Sequence, residues 1–281
     1  MKKTTIKIPA KINLILDVLG TDGKYHQLQS LVASINLYDT VTVKARKDEK
    51  ITLKMKGVKV DCPIPQNNAY KSAELFKKTF KTSGVEIVIN KSIPVGAGLG
   101  GSSADIAGVL RAMKSVYGIT ESLLPLANDL GSDAGYMLTG GYALMQGRGE
   151  QITHENIDAP LYFLLITENN SCSAKECYKQ FDMQNKTYTP MAKDGVNALK
   201  NGDYDAFCLA VKNDLTAAAT SLVPQIAGNL EVLKKAGAKG VAMTGSGSAC
   251  FAVFTTKKQR EKVYRKLKPI YKKQLIKAQT V

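Results

Sequence analysis

Short hydrophobic runs that favour β-structure dominate the first sixty residues of the 281-residue chain. They are rich in Ile, Val and Leu, and turn signals such as Thr21-Asp22-Gly23 separate them. Runs of this length and composition predict strands rather than helices. The predicted strands cover residues 4–8, 13–20, 31–35, 40–45 and 51–55.

The pattern changes after residue 66, where apolar residues recur at helical spacing. They predict a helix over 67–84, with Gly84 at its end. A strand at 85–90 then leads into a glycine-rich loop, and a second helix is predicted over 104–118. The remaining elements of this half are a helix at 121–131 and a strand at 141–146.

A second mixed half follows. A strand at 161–167 opens it, and two strands near its end frame another glycine loop. Each half contains both strands and helices, so the sequence predicts an α+β fold. We place two domains at residues 1–157 and 158–281. The other elements predicted in this half are helices near 173–181, 191–200, 203–218 and 223–236, strands at 240–244 and 249–254, and a basic helix over 257–277.

The chain is strongly basic, with 39 Lys and Arg against 24 Asp and Glu and a formal charge of +15. Such an excess favours an anionic partner: nucleic acid, a membrane surface or a phosphorylated small molecule. The densest basic segment is 257–277, where apolar residues recur at helical spacing. We therefore interpret its lysines as the solvated face of a helix rather than as a nucleic-acid stripe.

The sequence favours a globular cytoplasmic protein. Its longest aliphatic and aromatic run, 161–166, is far too short to span a bilayer, and Lys7, Lys11 and Asp17 interrupt the apolar region that a signal peptide would need. Five cysteines with no CxxC pair and only two histidines give no support to a disulfide framework or a zinc site. We expect reduced thiols.

The glycine loop carries the clearest chemistry. Four of the six residues 96–101 are glycine, and the loop joins a predicted strand to a predicted helix. This order directs backbone N–H groups and a helix N-terminus at one small volume, which favours phosphate. Glycine allows a phosphate to approach the backbone closely, and we expect some positions of the loop to need positive φ. Ser102 and Ser103 add hydroxyls that could cap the helix, bind phosphate oxygens or ligate Mg²⁺.

Other glycine-loop families fit less well. Gly96, Gly98 and Gly101 satisfy GxGxxG, with Glu121 twenty residues further on, but the loop follows a β-rich opening rather than a leading βαβ unit. Ser102 stands where a P-loop needs lysine. The chain contains no HRD or DFG motif of protein kinases and no GxSxG nucleophile elbow.

Residues 94–103 instead follow the pattern P-x-G-x-G-L-G-x-S-S, and on this basis the chain resembles the GHMP kinase superfamily. Within it, the further motifs resemble the branch that phosphorylates a cytidylated sugar alcohol in isoprenoid precursor synthesis. The segments that carry this closer resemblance are 9–14 (PAKINL), 22–28 (DGKYHQL), 35–39 (INLYD), 130–133 (LGSD), 147–150 (GRGE), 213–215 (NDL) and 244–248 (TGSGS).

The resemblance implies a ribosomal-protein-like N-terminal domain, a ferredoxin-like C-terminal domain, and ATP with Mg²⁺ as phosphoryl donor. It implies that Asp133 accepts or orients the proton of the substrate hydroxyl and that Lys11 lies beside both. Read alone, Asp133 would be a capping or turn residue and Lys11 a solvated strand lysine. The second glycine loop, 245–247, would either close over the substrate side or merely connect two strands.

The resemblance also assigns binding residues. Tyr25 and His26 match a cytidine-binding pair, in which an aromatic face can stack on cytosine and an imidazole can hydrogen-bond a base edge. For His26, a fold-stabilising role is the alternative. Tyr178 or Phe181 would supply the opposite face, and Asn13 would contact substrate. For Asn67, helix capping is the alternative. The residues expected to bind ATP are Asn67, Asn68, Lys91, Pro94, Gly96, Gly98, Leu99, Gly100, Gly101, Ser102 and Ser103.

Three alternatives stay open. The first is a kinase for another alcohol, homoserine-like or mevalonate-like, since residues 134–136 read Ala-Gly-Tyr where the family generally has Val-Pro-Phe. The second is a basic RNA-binding protein, and the third a nucleotide-binding regulator without catalysis. The favoured interpretation has a phosphorylated small molecule as partner, no nucleic acid or membrane, and a monomer or homodimer. The sequence identifies no metal ligands.

Overall fold

The computed structural model describes residues 2–23, 25–168, 170, 172–184 and 188–281. Two compact units emerge from the contacts within the chain, and each is built from discontinuous segments. The first unit contains 1–10, 37–95 and 100–140, and the second contains 11–36, 96–99 and 141–281. The domain boundary after residue 157 stays a prediction, because these units divide the chain differently.

Two long strands, β1 (Lys3–Thr21) and β2 (His26–Ala45), each contribute to both units. The sequence predicted them as separate short strands. Both strands are continuous, because the residues between the predicted short strands also have extended backbone and pair with neighbouring strands. The run 9–12 between the first two predicted strands contains Lys11, whose polar side chain is buried in the structure.

The first unit pairs the later part of β2 with β4 (Val85–Lys91) in antiparallel fashion, and β4 with β3 (Ile51–Gly57) in parallel. The helix α1 (Asn68–Phe80) and the helix α2 (Gly101–Tyr117) share a core with this sheet, which includes Phe76. Two short helices complete the unit, α3 (Leu124–Leu130) and α4 (Ala134–Met137).

In the second unit, the early part of β2 pairs with β5 (Tyr142–Gly147), which pairs with β6 (Gln151–His154). A separate sheet has the order β11-β7-β10-β9 and is antiparallel throughout. Its strands are β7 (Tyr162–Ile166), β9 (Gly240–Met243), β10 (Cys250–Phe254) and β11 (Leu275–Gln279).

The helices of the second unit pack on this sheet around a core that includes Phe181, Ile226 and Leu267. Among the described residues, no helix has both the length and the apolar character needed to cross a membrane. These helices are α5 (Ala174–Asp182), α6 (Ala192–Lys200), α7 (Tyr204–Ala210), α8 (Thr216–Leu222), α9 (Gln225–Lys235) and α10 (Lys257–Tyr271), and a short strand β8 (Lys212–Asn213) lies between α7 and α8.

Two sequence predictions were wrong here. The single helix expected over 203–218 is interrupted by β8, which pairs in parallel with β1 at Ile15 and Leu16. The basic helix expected over 257–277 ends at Tyr271, and the chain then forms β11 against β7. The lysines of its helical part are exposed.

Candidate active site

The glycine loop follows β4 and ends where α2 begins. Three of its glycines, Gly96, Gly98 and Gly100, have φ values of 67°, 74° and 73°. Side chains disfavour this left-handed region, so glycine is required at these positions for backbone reasons alone. The sequence reasoning expected positive φ at some positions of the loop, and this is confirmed.

The helix α2 begins at Gly101, and within the described residues no side chain caps its first turn. The capping role considered for Ser102 and Ser103 is therefore not observed. Ser102 Oγ instead accepts a hydrogen bond from Asn68 Nδ2 at 2.8 Å, which joins the start of α1 to the start of α2. The first N–H groups of a 17-residue helix carry partial positive charge and suit an anion.

Asn67 is the N-cap of α1. Its Oδ1 accepts from the N–H of Ala69 at 2.9 Å, which is the capping alternative considered from the sequence. A contact between Asn67 and a nucleotide stays a prediction. Asn68, the next residue, contacts the glycine loop through Ser102, so the two members of this pair have different surroundings.

Asp133 lies in the turn before α4 and is half-buried. Its side chain makes no capping hydrogen bond to α4, so the capping interpretation is not what the structure shows. The same turn packs beside the start of α2: a Cβ placed on Gly131 would lie 3.7 Å from Ser103 Oγ. The first unit therefore brings the turn that carries Asp133 next to the serine end of the glycine loop.

Lys91 is buried at the end of β4, with its side chain 3% exposed. Its Nζ donates to Asp39 Oδ2 at 2.5 Å, to Asp105 Oδ2 at 2.7 Å and to the carbonyl oxygen of Gly101 at 2.8 Å. These three bonds use the three N–H donors of the ammonium group. A direct contact between Lys91 and the nucleotide stays a prediction.

The carboxyl of Asp105 is strongly perturbed. Burial raises its pKa to about 7, against the opposing effect of the Lys91 ammonium; the neighbouring Asp39 carboxyl raises it further. Sequence reasoning missed both aspartates of this group. Asp105 lies four residues after Gly101, one helical turn into α2, and this spacing was the available signal.

Lys11 opens the part of β1 that belongs to the second unit, and it is only 4% exposed. The solvated strand lysine considered from the sequence is therefore not what the structure shows. Its Nζ donates to Asn13 Oδ1, and Asn13 Nδ2 donates to Ser30 Oγ at 2.8 Å. A buried ammonium is costly unless it is partnered, which marks Lys11 as a functional candidate.

The second glycine loop packs against part of the first within the second unit. A Cβ on Gly98 would lie 2.0 Å from the carbonyl oxygen of Thr244. Thr244 Oγ1 donates to the carbonyl of Gly98 at 3.2 Å and accepts from the N–H of Asn13 at 3.0 Å. Residue Leu99 is buried and its carbonyl accepts from the N–H of Lys11 at 3.1 Å. The 245–247 loop thus supports the first loop.

An aromatic group forms around His26. Its ring stacks on Tyr178, with centroids 4.6 Å apart and planes 23° apart, and its Nε2 lies 2.8 Å from Asp182 Oδ1. Tyr25 is 43% exposed, and the guanidinium of Arg148 lies 4.9 Å from its ring centre. Sequence reasoning missed Asp182 as a partner of His26.

Of the two aromatic candidates on α5, Tyr178 presents its face to His26. Phe181 meets the same ring by its edge, at 6.1 Å, and is buried in the core of the second unit. Tyr25, His26 and Tyr178 therefore lie in one unit together with Lys11 and Asn13. The turn of Asp133, the start of α2 and Pro94 lie in the other, so the pairing of Lys11 with Asp133 stays a prediction.

Known protein families match both halves of the chain. Residues 67–146 match the GHMP kinases N terminal domain, and residues 196–273 match the GHMP kinases C terminal domain. A 4-diphosphocytidyl-2-C-methyl-D-erythritol kinase from Brevibacillus brevis is 34% identical over 276 residues, which cover 96% of this chain and 94% of that protein.

Solved structures of kinases have the same fold as this chain. A 4-(cytidine 5'-diphospho)-2C-methyl-D-erythritol kinase superimposes with a TM-score of 0.82 at 26% identity, covering 98% of each chain. A homoserine kinase from Cytophaga hutchinsonii has a TM-score of 0.78 at 18% identity, covering 100% of this chain and 95% of that one, a likeness of fold alone. The chain belongs to the GHMP kinase family, in its 4-diphosphocytidyl-2-C-methyl-D-erythritol kinase branch.

Proposed function

We propose that the protein transfers the γ-phosphoryl group of ATP to the 2-hydroxyl of 4-diphosphocytidyl-2-C-methyl-D-erythritol. The observation that carries this assignment is the aromatic group of the second unit. His26 is stacked on Tyr178 and bonded to Asp182, with the exposed ring of Tyr25 adjacent in sequence. A kinase whose substrate lacks a nucleobase has no use for such a group.

The loop formed by residues 94–103 would hold the nucleotide phosphates. Its left-handed glycines and the uncapped first turn of α2 present N–H groups in the manner that phosphate oxygens need, so the residues present fit a triphosphate. We further propose that Mg²⁺ accompanies ATP and that the protein acts in the cytoplasm. Bound Mg-ATP supplies the transferred phosphoryl group and a cation that neutralises its charge.

Asp133 would accept the proton of the substrate hydroxyl as that oxygen forms its bond to the γ-phosphorus and the bond to the β-phosphate oxygen breaks. The proposal is supported by the turn that carries Asp133, because Gly131 in that turn packs near Ser103 at the end of the phosphate loop. Lys11 would offset the negative charge that develops on the reacting oxygens. Its ammonium is held on β1 by Asn13, so little reorganisation is needed.

The cytidine would stack on Tyr25, which is exposed enough to contact a pyrimidine. Tyr178 stacks on His26 at 4.6 Å, too close for a base between them, so it would hold the imidazole against the base edge. Asp182 fixes the orientation of the His26 imidazole through Nε2, which leaves Nδ1 as the nitrogen for a base edge. Arg148, over the Tyr25 ring, carries a charge suited to the diphosphate.

Two other functions can be tested against the same observations. A homoserine-like or mevalonate-like substrate would leave the aromatic group without a ligand. An RNA-binding role would use the exposed lysines of α10, and its affinity would fall steeply with salt while ATP had no effect. The partner we propose is a small phosphorylated molecule, with the protein acting as a monomer or homodimer.

The experiment that tests the proposal is ADP release from Mg-ATP with a panel of alcohols: diphosphocytidyl-methylerythritol, homoserine, mevalonate and galactose. We expect turnover with the cytidylated alcohol alone and a product heavier by one phosphoryl group in the mass spectrum. Turnover with another alcohol would contradict the substrate assignment. Salt-sensitive RNA binding without any turnover would contradict the kinase assignment.

A further inference from the structure

Within the first unit, a buried ammonium group bonds to the end of the glycine loop and to the aspartate that holds the residues before the loop. Lys91 lies at the end of β4, where Thr40 of β2 pairs with Asn90 and so places Asp39 beside Lys91. The Lys91 Nζ donates to Asp39, to Asp105 and to the carbonyl of Gly101 at distances between 2.5 and 2.8 Å. We call Lys91, Asp39 and Asp105 the loop-base triad.

Asp39 connects the triad to the residues that precede the glycine loop. Its Oδ1 accepts from the N–H groups of Ser92 and Ile93 at 2.6 and 2.9 Å, and these are the first residues after β4. One carboxylate therefore fixes two consecutive peptide groups, with its other oxygen bonded to Lys91.

Lys91 and Asp105 connect the triad to the helix α2, which follows the glycine loop. Gly101 is the first residue of α2, and Asp105 lies one turn further along the same helix. A Cβ on Gly101 would lie 3.1 Å from Lys91 Nζ, so the ammonium packs directly against the first turn. Any shift of the α2 start relative to β4 must break at least one of these bonds.

The energetics argue for a role other than stability. Removing charges from water costs about as much as their attraction returns, so buried ion pairs contribute little net stability. Within the described residues, Asp105 Oδ1 has no hydrogen-bond partner although the residue is only 5% exposed. That oxygen costs free energy in the folded state, which reduces the net contribution of the group to stability. The best-documented role of buried charged groups is to favour one conformation over its alternatives.

We propose that the loop-base triad sets the separation and direction of the two ends of the phosphate loop, and that Asp39, Lys91 and Asp105 are positioning residues for nucleotide binding. This inference rests on the proposed role of residues 94–103 in holding phosphate. In this proposal the triad contacts the loop rather than the nucleotide, and it determines where the peptide N–H groups of the loop point.

The test uses the full chain and measures the affinity of Mg-ADP and of CDP by calorimetry, well below the melting temperature of each variant. The single variants are Asp105→Asn, Asp39→Asn and Lys91→Met. The double variant combines Lys91→Met with Asp105→Asn. We expect each single variant to weaken Mg-ADP binding by about tenfold or more and to change CDP affinity less than about twofold. The double variant should be no weaker than the worse single one.

The chain contains a matched control. Lys212 Nζ lies 3.0 Å from Asp17 and 2.9 Å from Asp214, and Asp17 Oδ2 accepts from two consecutive N–H groups, at Met191 and Ala192. This group resembles the triad in chemistry but lies in the second unit and has no contact with the glycine loop in the structure as described. Lys212→Met should lower the melting temperature and leave Mg-ADP affinity unchanged.

The outcomes separate this inference from the proposed function. If the unaltered protein gives no heat with Mg-ADP, the phosphate role of the loop fails and the inference fails with it. If the unaltered protein binds and the folded triad variants bind equally well, the inference alone is overturned. Loss of affinity in Lys91→Met without loss in Asp105→Asn would mean that Lys91 contacts the nucleotide itself, which also overturns it. Asp105→Asn is isosteric and provides the test should Lys91→Met fail to fold.

Discussion

A Cβ on Gly98 would lie 2.0 Å from the carbonyl oxygen of Thr244, residues that are 146 positions apart. The sequence argument explained glycine in this loop by the approach of a phosphate. At Gly98 the structure gives a different reason, because the backbone of the second glycine loop occupies the space of the side chain. The two glycine motifs are therefore two parts of one packed arrangement within the second unit.

Gly98→Ala should destabilise the protein strongly. Gly118 offers a control, since its φ of 71° is close to the 74° of Gly98 but open space surrounds its Cβ position. We expect Gly118→Ala to cost about 1–2 kcal/mol from backbone strain alone. Gly98→Ala should cost about 1–3 kcal/mol more from the clash. Urea denaturation of both variants checks this, and equal losses would contradict the packing argument.

Asp133→Asn should stop turnover and spare nucleotide binding. The amide cannot accept the hydroxyl proton, so we expect kcat to fall by at least about 100-fold. Mg-ADP affinity by calorimetry should stay within about twofold, because the substitution is isosteric. Asp129→Asn is the control, as Asp129 is an exposed carboxylate in the preceding helix. Retention of most of the turnover in Asp133→Asn would remove Asp133 from the mechanism.

Tyr25→Ala should raise the KM for the cytidylated alcohol and leave the KM for ATP unchanged. Loss of one stacking face costs about 1–3 kcal/mol, which corresponds to a rise of about tenfold or more. Tyr25→Phe keeps the ring and should behave as the unaltered enzyme. Tyr188→Ala controls for exposure, because Tyr188 is 46% exposed against 43% for Tyr25. Unchanged constants in Tyr25→Ala would place cytidine elsewhere.

The stability of the protein should depend on pH through Asp105. Burial raises its pKa from the ordinary value of 3.8 to about 7 in the folded chain, with Lys91 and Asp39 as the charged groups that face it. Between these values the folded state binds more protons than the unfolded state, so the Asp105 contribution to the free energy of unfolding falls as pH rises from about 4 to about 7.

Asp105→Asn removes this dependence, because the amide resembles the protonated acid. The free energy of unfolding of the variant should therefore increase relative to that of the unaltered protein as pH rises from about 4 to about 7. Urea denaturation of both proteins at several pH values measures it. A difference that is constant with pH, or that moves the other way, would contradict the raised pKa.

The C-terminal strand gives a prediction about packing. Leu275 begins β11 and is 4% exposed, whereas Ile270 on α10 is 70% exposed. Leu275→Ala should cost about 2–5 kcal/mol of unfolding free energy, and Ile270→Ala should stay within about 0.5 kcal/mol. A loss of less than about 1 kcal/mol in Leu275→Ala would contradict the burial of Leu275 in β11.

Local pattern was enough to predict much of the fold and the position of the glycine loop. The helices α1 and α2 and the strand β4 between them were predicted because periodicity, capping and turn residues agree there. The motifs around Lys11, His26 and the loop then gave the family and its candidate residues.

Long-range contacts explain what the sequence could not predict. The segment 203–218 has helical spacing throughout, but β8 forms inside it because Lys212 and Asn213 pair with β1 about 200 positions earlier. Likewise Leu275 repeats with the helical period of α10, yet its backbone completes a sheet with β7. The role of Asp39 was equally hidden, since only the register of β2 and β4 brings it beside Lys91.

The strands β1 and β2 belong to both compact units, and this limits how the protein can be recombined. A fragment beginning at residue 158 would contain β8 without its partner β1, and one ending at residue 157 would contain β1 without β8. Exchanging the unit that carries the proposed cytidine site with a relative therefore needs several crossovers that respect segments 11–36, 96–99 and 141–281. A chimera joined at a single point would pair strand segments that come from different parents.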